Sequence, residues 1–406
     1  MKIDLYFWPI NGQAWVLSWG LLQTMRNMGV LHRYGNIENW TDSTKIPQLL
    51  NTHADVILFV GFEHFRKKIN TKLIRHRKAK IVCWTYESLT DPYGAKAWDT
   101  ALGKHFMQSY KDFYNGFTIC KDADLKDFDC MDAIFCADDL DFERFKREGF
   151  QAFWLPFGVD PDMFTPDPKM ILREKNLKEA VTLPEPKLIK KARIRYGTRY
   201  GIRSGRSHAK PKHPRENLPV RSPKLMPGRR FENVGAFIGT RSNVRITLLT
   251  RMDLPLSLMQ TPRKGDFGDV NKAEEHTKNL VRAYNSFLIQ FNLRSIFAGV
   301  TPRAVESMAC GRLLFQYLCA PDRPYSRKMF TNCAKYEILT DQGLRGVREK
   351  YRYFLNHPQE AMAIGRKARE EVIHGHTLKH RVNTIATKLK IVKKIDRDKN
   401  AEEATE

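Results

Sequence analysis

Thr301 to Leu318 reads TPRAVESMACGRLLFQYL. Its first half has the apolar spacing of a short helix, predicted over 301–309, with Pro302 suited to a first helical position. Gly311 stops that helix just before the apolar run predicted as a strand over 313–317. A helix that ends on glycine and feeds straight into an apolar strand is part of a parallel strand–helix–strand unit. Arg303 and Glu306 lie three positions apart and share a face near the helix N-terminus. Glu306 can there point into a cleft and accept hydrogen bonds from both hydroxyls of a ribose. The plain alternative is an exposed Arg–Glu pair of little energetic weight.

Toward the N-terminus, GAFIGTRSNVRITLLTRM (235–252) predicts a strand over 234–239, a turn at Gly239 and a helix over 242–251 that carries Arg245. A glycine turn entering a helix offers free backbone N–H groups, and a nearby arginine can neutralise a diphosphate. The fuller glycine-rich dinucleotide fingerprint is missing, so an ordinary turn reads the same way. A helix over 278–286 and a strand over 288–291 follow, and helices are predicted over 344–356, 359–372 and 377–392. His374, His376 and His380 are spaced two and four apart without a neighbouring Cys or Asp. No metal is therefore expected, and His376 with Thr377 reads as the turn and cap before the last helix. The tail DRDKNAEEATE is expected to fray.

The first 165 residues also alternate short apolar runs with amphipathic stretches. Strands are predicted over 2–7, 30–34, 56–61, 80–85, 133–136 and 152–155, with helices over 15–28, 65–77 and 140–149, a doubly wound α/β domain. In 65–77, Phe65, Ile69 and Leu73 form an apolar stripe, and Lys68, Lys72 and Arg75 a basic one that faces water or a partner. The loops PING (9–12) and WTYESLTDPYG (84–94) fall at the carbonyl ends of strands, where such sheets bind ligands. Glu87 and Asp91 are thus candidate general bases, with solvated loop carboxylates as the alternative. Asp138 and Asp139 read as caps of the next helix.

Charge sharpens this organisation. The 406-residue chain has a formal net charge of +24, and the 62 residues 169–230 hold 19 Lys/Arg against 4 acids. Residues 66–80 add eight basic side chains and no acid, so these two stretches hold 23 of the 24. Arg193, Arg195 and Arg199 lie in the first stretch, which lacks apolar periodicity and is expected to be a flexible insertion or linker until a polyanion such as DNA binds it. Chain length excludes a disulfide-stapled miniature scaffold, and 42% hydrophobic residues exclude a wholly disordered polyelectrolyte. Seven cysteines without a CxxC pair read as reduced thiols, and neither a cleavable leader nor a membrane span is recognisable. A cytoplasmic protein is the expectation. The implied domains are 1–168, the basic segment 169–230, 231–376, and a C-terminal helix and tail over 377–406.

Taken in order, WLPFGVDPDMFTP, FIGTRSNVRITLLTRM, YNSFLIQFNL, TPRAVESMACGRLL and HTLKHRV resemble the CgeB-like glycosyltransferases, a branch of the nucleotide-sugar transferases with the GT-B fold. The resemblance spans most of the C-terminal half and, more faintly, the N-terminal half. It implies two facing Rossmann-like domains, an acceptor-side one first and a nucleotide-sugar-binding one second, with the basic segment between them. It further implies that Glu306 holds the donor ribose, that Gly239, Arg245 and Arg303 surround the diphosphate, and that Gly311 keeps the family's turn. Many relatives carry another Glu eight positions before the ribose-binding one. Here that position is Ala298.

The implied reaction moves a sugar from a nucleotide-sugar co-substrate to an acceptor hydroxyl. No cofactor is implied, and arginines and helix N-termini serve in place of a metal. The acceptor stays open. A surface glycan, hydroxymethylated DNA of phage type, and a catalytically inactive nucleic-acid-binding protein on the same scaffold all remain compatible with the basic segment.

Overall fold

The computed structural model of the chain describes residues 1–7, 13–74, 78–86, 88–90, 122–167, 235–239, 249, 251–254, 256–259, 270–293, 300–319, 322–337 and 340–391. Contacts gather Met1–Asp167 and Phe231–Glu406 into one compact unit. The PING loop, Arg75, Glu87, Asp91, Arg193, Arg195, Arg199, Arg245, Ala298, the tail, the basic segment and most of the helix predicted over 242–251 lie outside the described residues.

The N-terminal half is a six-stranded sheet. Its strands are β1 (Ile3–Phe7), β2 (Leu31–Asn36), β3 (Val56–Val60), β4 (Lys80–Thr85), β5 (Ala133–Cys136) and β6 (Ala152–Trp154), in the order β2-β1-β3-β4-β5-β6. Every pairing is parallel. Helix α1 (Gln13–Asn27) joins β1 to β2, α2 (Ile46–Leu50) precedes β3, α3 (Asp122–Leu125) precedes β5, and α4 (Asp139–Arg147) joins β5 to β6. β3 reads VILFV with all five residues buried, as expected of a central parallel strand covered on both faces.

The C-terminal half repeats the plan. Strands β7 (Gly235–Ile238), β8 (Leu256–Met259), β9 (Ile289–Asn292), β10 (Leu313–Tyr317) and β11 (Ala334–Tyr336) form a parallel sheet in the order β11-β10-β9-β7-β8. Helices α5 (Val270–Asn285), α6 (Pro302–Ala309), α7 (Pro324–Lys328), α8 (Asp341–Asn356), α9 (Pro358–Gly375) and α10 (Leu378–Lys388) complete it. In both sheets the strand order reverses beside the first strand, between β1 and β3 and between β7 and β9. Such switch points are where open α/β sheets bind ligands.

The last helix returns to the first half. Val159 N donates to His376 O at 3.1 Å and Leu378 N to Val159 O at 2.9 Å. Buried Arg381 of α10 donates to the carbonyl of Phe157 at 3.0 Å. Among the described residues no helix is long and apolar enough to cross a membrane.

One element differs from expectation. Residues 65–74 form no α-helix; a 3-10 turn, Phe62–His64, precedes them and a second, Thr71–Ile74, ends the stretch. Asn70 and Thr71 interrupt the stretch with side chains that favour turns over helix interiors. The apolar stripe is accordingly broken. Phe65 and Ile69 are 5% exposed, whereas Leu73 is 41% exposed and Ile74 takes the buried place. Lys68 and Lys72 are exposed, but not along one helix. Strands β8 and β11, four and three residues long, escaped the sequence reading, because LSLM and AKY are too short and mixed to show a period. Helix α5 begins eight positions before its predicted start.

Candidate active site

The carbonyl ends of β7, β9 and β10 present Gly239, Asn292 and Gln316 side by side. Helix α6 opens above them, with Thr301 in extended conformation at its N-cap and Pro302 in its first turn. The Thr301 hydroxyl leaves the cap uncompensated and donates instead to Asn292 Oδ1 at 2.8 Å. The Arg303 Nη1 donates to the same oxygen at 3.1 Å. Asn292 Nδ2 passes a hydrogen bond to Gln316 Oε1 at 2.9 Å, and Tyr336 Oη donates to the Asn292 carbonyl at 3.1 Å. Every member of this network is buried, where satisfied polar groups rigidify a site and unsatisfied ones are costly.

Arg303 accounts for Gly239. The guanidinium lies over the Phe237 ring at 5.2 Å. A Cβ on residue 239 would sit 2.8 Å from Arg303 Nη2 and 3.1 Å from the Phe237 ring, so glycine lets the chain after β7 close onto that cation without displacing it. The structure thus brings Gly239 and Arg303 together, placing a permanent positive charge beside the carbonyl end of β7.

Glu306 lies one turn further along α6. It is 3% exposed and Arg303 2% exposed, which removes the surface-pair alternative. Its Oε2 accepts from Tyr284 Oη of α5 at 2.7 Å. Burial pushes the carboxyl up from 4.5 to about 7, against the opposing pull of the Tyr284 hydrogen bond and the Arg303 charge. The Tyr284 hydroxyl is likewise pushed well above its ordinary value, chiefly by burial. Glu306 and Pro302 line a small cavity whose far wall belongs to the N-terminal half, at Val16, Gly20, Asp160 and Phe164. Gly311 ends this element in the left-handed region, at φ 69°, which lets the chain turn directly into β10.

Asp138 and Asp139 divide their work. Asp138 caps α4, accepting from Leu140 N at 3.0 Å, and it also accepts from the buried Arg323 Nε at 3.1 Å. Asp139 does not cap; it accepts from the backbone N–H groups of Tyr325 at 2.6 Å and Ser326 at 3.1 Å in α7, and from the Ser326 hydroxyl. The histidines take separate partners: His374 Nδ1 faces Glu370 O, His376 Nδ1 faces Arg381, and His380 Nδ1 faces Thr377 Oγ1. Thr377 caps α10 by accepting from His380 N.

Sequence reasoning missed Tyr284, Asn292, Thr301 and Gln316. A signal was present for Asn292, because Gln290 and Asn292 interrupt the apolar run FLIQFNL at alternate positions.

Residues 225–387 match the Glycosyl transferase-like family. No curated protein matches the chain in sequence. Among solved structures, it is similar to a sucrose-phosphate synthase from Thermosynechococcus elongatus, at TM-score 0.53, 10% identity, 96% of this chain and 99% of that one. It is also similar to HepE of Anabaena, solved with UDP and glucose, at TM-score 0.52, 10% identity and coverages of 96% and 99%. A UDP-forming α,α-trehalose-phosphate synthase from Burkholderia vietnamiensis follows at 0.51, 10%, 96% and 99%. The fold is that of the GT-B glycosyltransferases, and the C-terminal half carries a glycosyl transferase-like domain.

Proposed function

We propose that this chain transfers a sugar from a nucleoside-diphosphate sugar, of the UDP type, to an acceptor hydroxyl. The observation that carries the reading is the buried Glu306 carboxylate on α6, inside the segment matched to glycosyl transferases. A carboxylate there accepts from both ribose hydroxyls. Arg303 sets its charge beside Gly239, and Arg245, six positions on in the sequence, meets the diphosphate. The developing negative charge on the leaving diphosphate is then met by fixed cations and helix-terminal N–H groups. Glu87 or Asp91, in the loop after β4, takes the acceptor proton if the reaction inverts. The UDP bound in HepE and the UDP-forming activity named for the trehalose-phosphate synthase support that choice of donor.

A second reading concerns the acceptor only. The +15 carried by residues 169–230 favours a polyanion, such as modified DNA, over a neutral sugar as the molecule that segment engages. The CgeB-like branch remains our assignment within the fold.

The test is UDP-glucose turnover. Wild-type protein should release UDP, and Glu306→Ala should not, with its circular dichroism unchanged. UDP release by Glu306→Ala at the wild-type rate would remove the donor site from α6. Absence of any nucleotide-sugar turnover, together with DNA binding, would favour the inactive scaffold.

A further inference from the structure

The chain leaves β4 through Tyr86 and Ser88–Thr90, and three backbone N–H groups there are held by two buried carboxylates from other parts of the sheet. Tyr86 N donates to Glu63 Oε1 at 2.9 Å. Leu89 N donates to Asp141 Oδ2 at 2.8 Å and Thr90 N to Asp141 Oδ1 at 2.7 Å. Glu63 belongs to the 3-10 turn after β3 and Asp141 to the first turn of α4 after β5, so the loop is gripped from the strands on both sides of β4.

Asp141 is not needed as a cap for its own helix. An acid in the first turn of a helix ordinarily faces solvent and the helix's own N–H groups, and Asp138 already caps α4. Asp141 is instead fully buried, 0% exposed, and shares its turn with buried Asp138 and Asp139. Burial and the Asp138 charge push its carboxyl up to about 7, so keeping an acid there works against folding. Buried Arg323 faces Asp138, and the Tyr325 and Ser326 N–H groups face Asp139, whereas among the described residues Asp141 accepts from the loop amides of Leu89 and Thr90. Backbone N–H groups held at both ends by charged acceptors fix a loop more rigidly than neutral contacts do.

We propose that Glu63 and Asp141 are positioning residues that hold the loop after β4 in place as the acceptor-side edge of the reaction site. The proposal rests on the sugar-transfer reading above. It adds that the loop is pre-set by side chains that touch neither donor nor acceptor. In sequence the anchored amides of Tyr86, Leu89 and Thr90 bracket Glu87 and precede Asp91, the two acids that the sugar-transfer reading offers as general base.

Asp141→Asn tests this, because the amide keeps the shape but can accept at one atom only. UDP affinity, UDP release from UDP-glucose and amide hydrogen exchange are read on the full-length protein. The expected result is a kcat for UDP release lowered about tenfold to a hundredfold with KM for UDP-glucose and Kd for UDP within about twofold. Exchange at Leu89 or Thr90 should quicken about tenfold while Tyr86 stays protected. A variant with wild-type kcat and a loosened loop would overturn the proposal, as would unchanged protection of both amides. A parallel loss of UDP binding would also overturn it, since the defect would then not be on the acceptor side. If Asp141→Asn does not fold, Glu63→Gln is read in the same way at the Tyr86 amide. Should wild-type protein neither bind UDP nor release it, the donor reading fails, and the exchange pattern still decides whether Asp141 anchors the loop.

Discussion

The two sheets share one strand plan and differ in the charge at their carbonyl ends. In the C-terminal sheet, Arg303 and the amides of Asn292 and Gln316 are buried beside the switch strand, with the Glu306 carboxylate a turn further along α6. In the N-terminal sheet the buried groups at the strand ends are mostly acids: Glu63, Asp138, Asp139 and Asp141. Topology alone therefore does not set what a doubly wound sheet binds. A fixed cation under a glycine turn suits an anion, whereas buried carboxylates suit the holding of backbone N–H groups. On the sugar-transfer reading proposed above, the same fold offers one edge for a diphosphate and another for a positioned loop.

The largest effect expected on this contrast comes from Glu306→Ala. Two charge-assisted hydrogen bonds to the ribose would be lost, about 1.5–3 kcal/mol each, so UDP affinity measured by calorimetry should fall by about a hundredfold or more. Next comes the cost of that same carboxylate. Its folded value of about 7 stands above the ordinary 4.5, so the stability it confers is full below 4.5 and is lost as pH rises through 7. Glu306→Gln keeps an acceptor for Tyr284 and carries no charge. At about pH 8 the variant should gain up to about 3 kcal/mol of stability relative to wild type compared with about pH 4, read from denaturant unfolding of both proteins. An equal difference at both values would detach the burial of Glu306 from its titration.

Gly239→Ala is expected to be smaller. The added methyl meets Arg303 Nη2 at 2.8 Å, and that guanidinium is already committed to Asn292. Overpacking of this kind costs about 1–3 kcal/mol and should lower Tm and weaken UDP more than uridine. A variant with unchanged Tm would show that Arg303 can move aside. The smallest effect is set by ionic strength. Deleting residues 169–230 should flatten the salt dependence of DNA binding, while UDP release survives because Glu306, Arg303 and Gly239 lie outside the deletion. Equal slopes for the two proteins would remove polyanion binding from that segment.

Much of this fold was legible because long apolar runs alternate with amphipathic stretches. VILFV and LLFQY are strands in the sequence reading, and in the structure they are buried and flanked by strands on both sides. What escaped has a physical cause. AKY pairs at an edge through its backbone, which leaves little trace in side-chain pattern, and 65–77 shows helical spacing that Asn70 and Thr71 undo locally. At the site, Arg303, Glu306 and Gly239 could be singled out from sequence, but their relation could not. That Arg303 sits under Gly239 and that Tyr284 holds Glu306 depend on contacts between elements 64 and 22 residues apart. Asp141 was invisible for the same reason, since an acid in a helix's first turn looks like ordinary dipole compensation until its partners, 52 and 51 positions away, are seen.

The central claim is that Glu306 reads the ribose of a nucleoside diphosphate. Calorimetric titration of wild type and Glu306→Ala with UDP and with 2′-deoxy-UDP tests it most directly. Wild type should prefer UDP by about tenfold, the worth of one hydrogen bond to a charged acceptor, and Glu306→Ala should bind both ligands equally weakly. A variant that keeps the wild-type preference for the 2′-hydroxyl would contradict the claim.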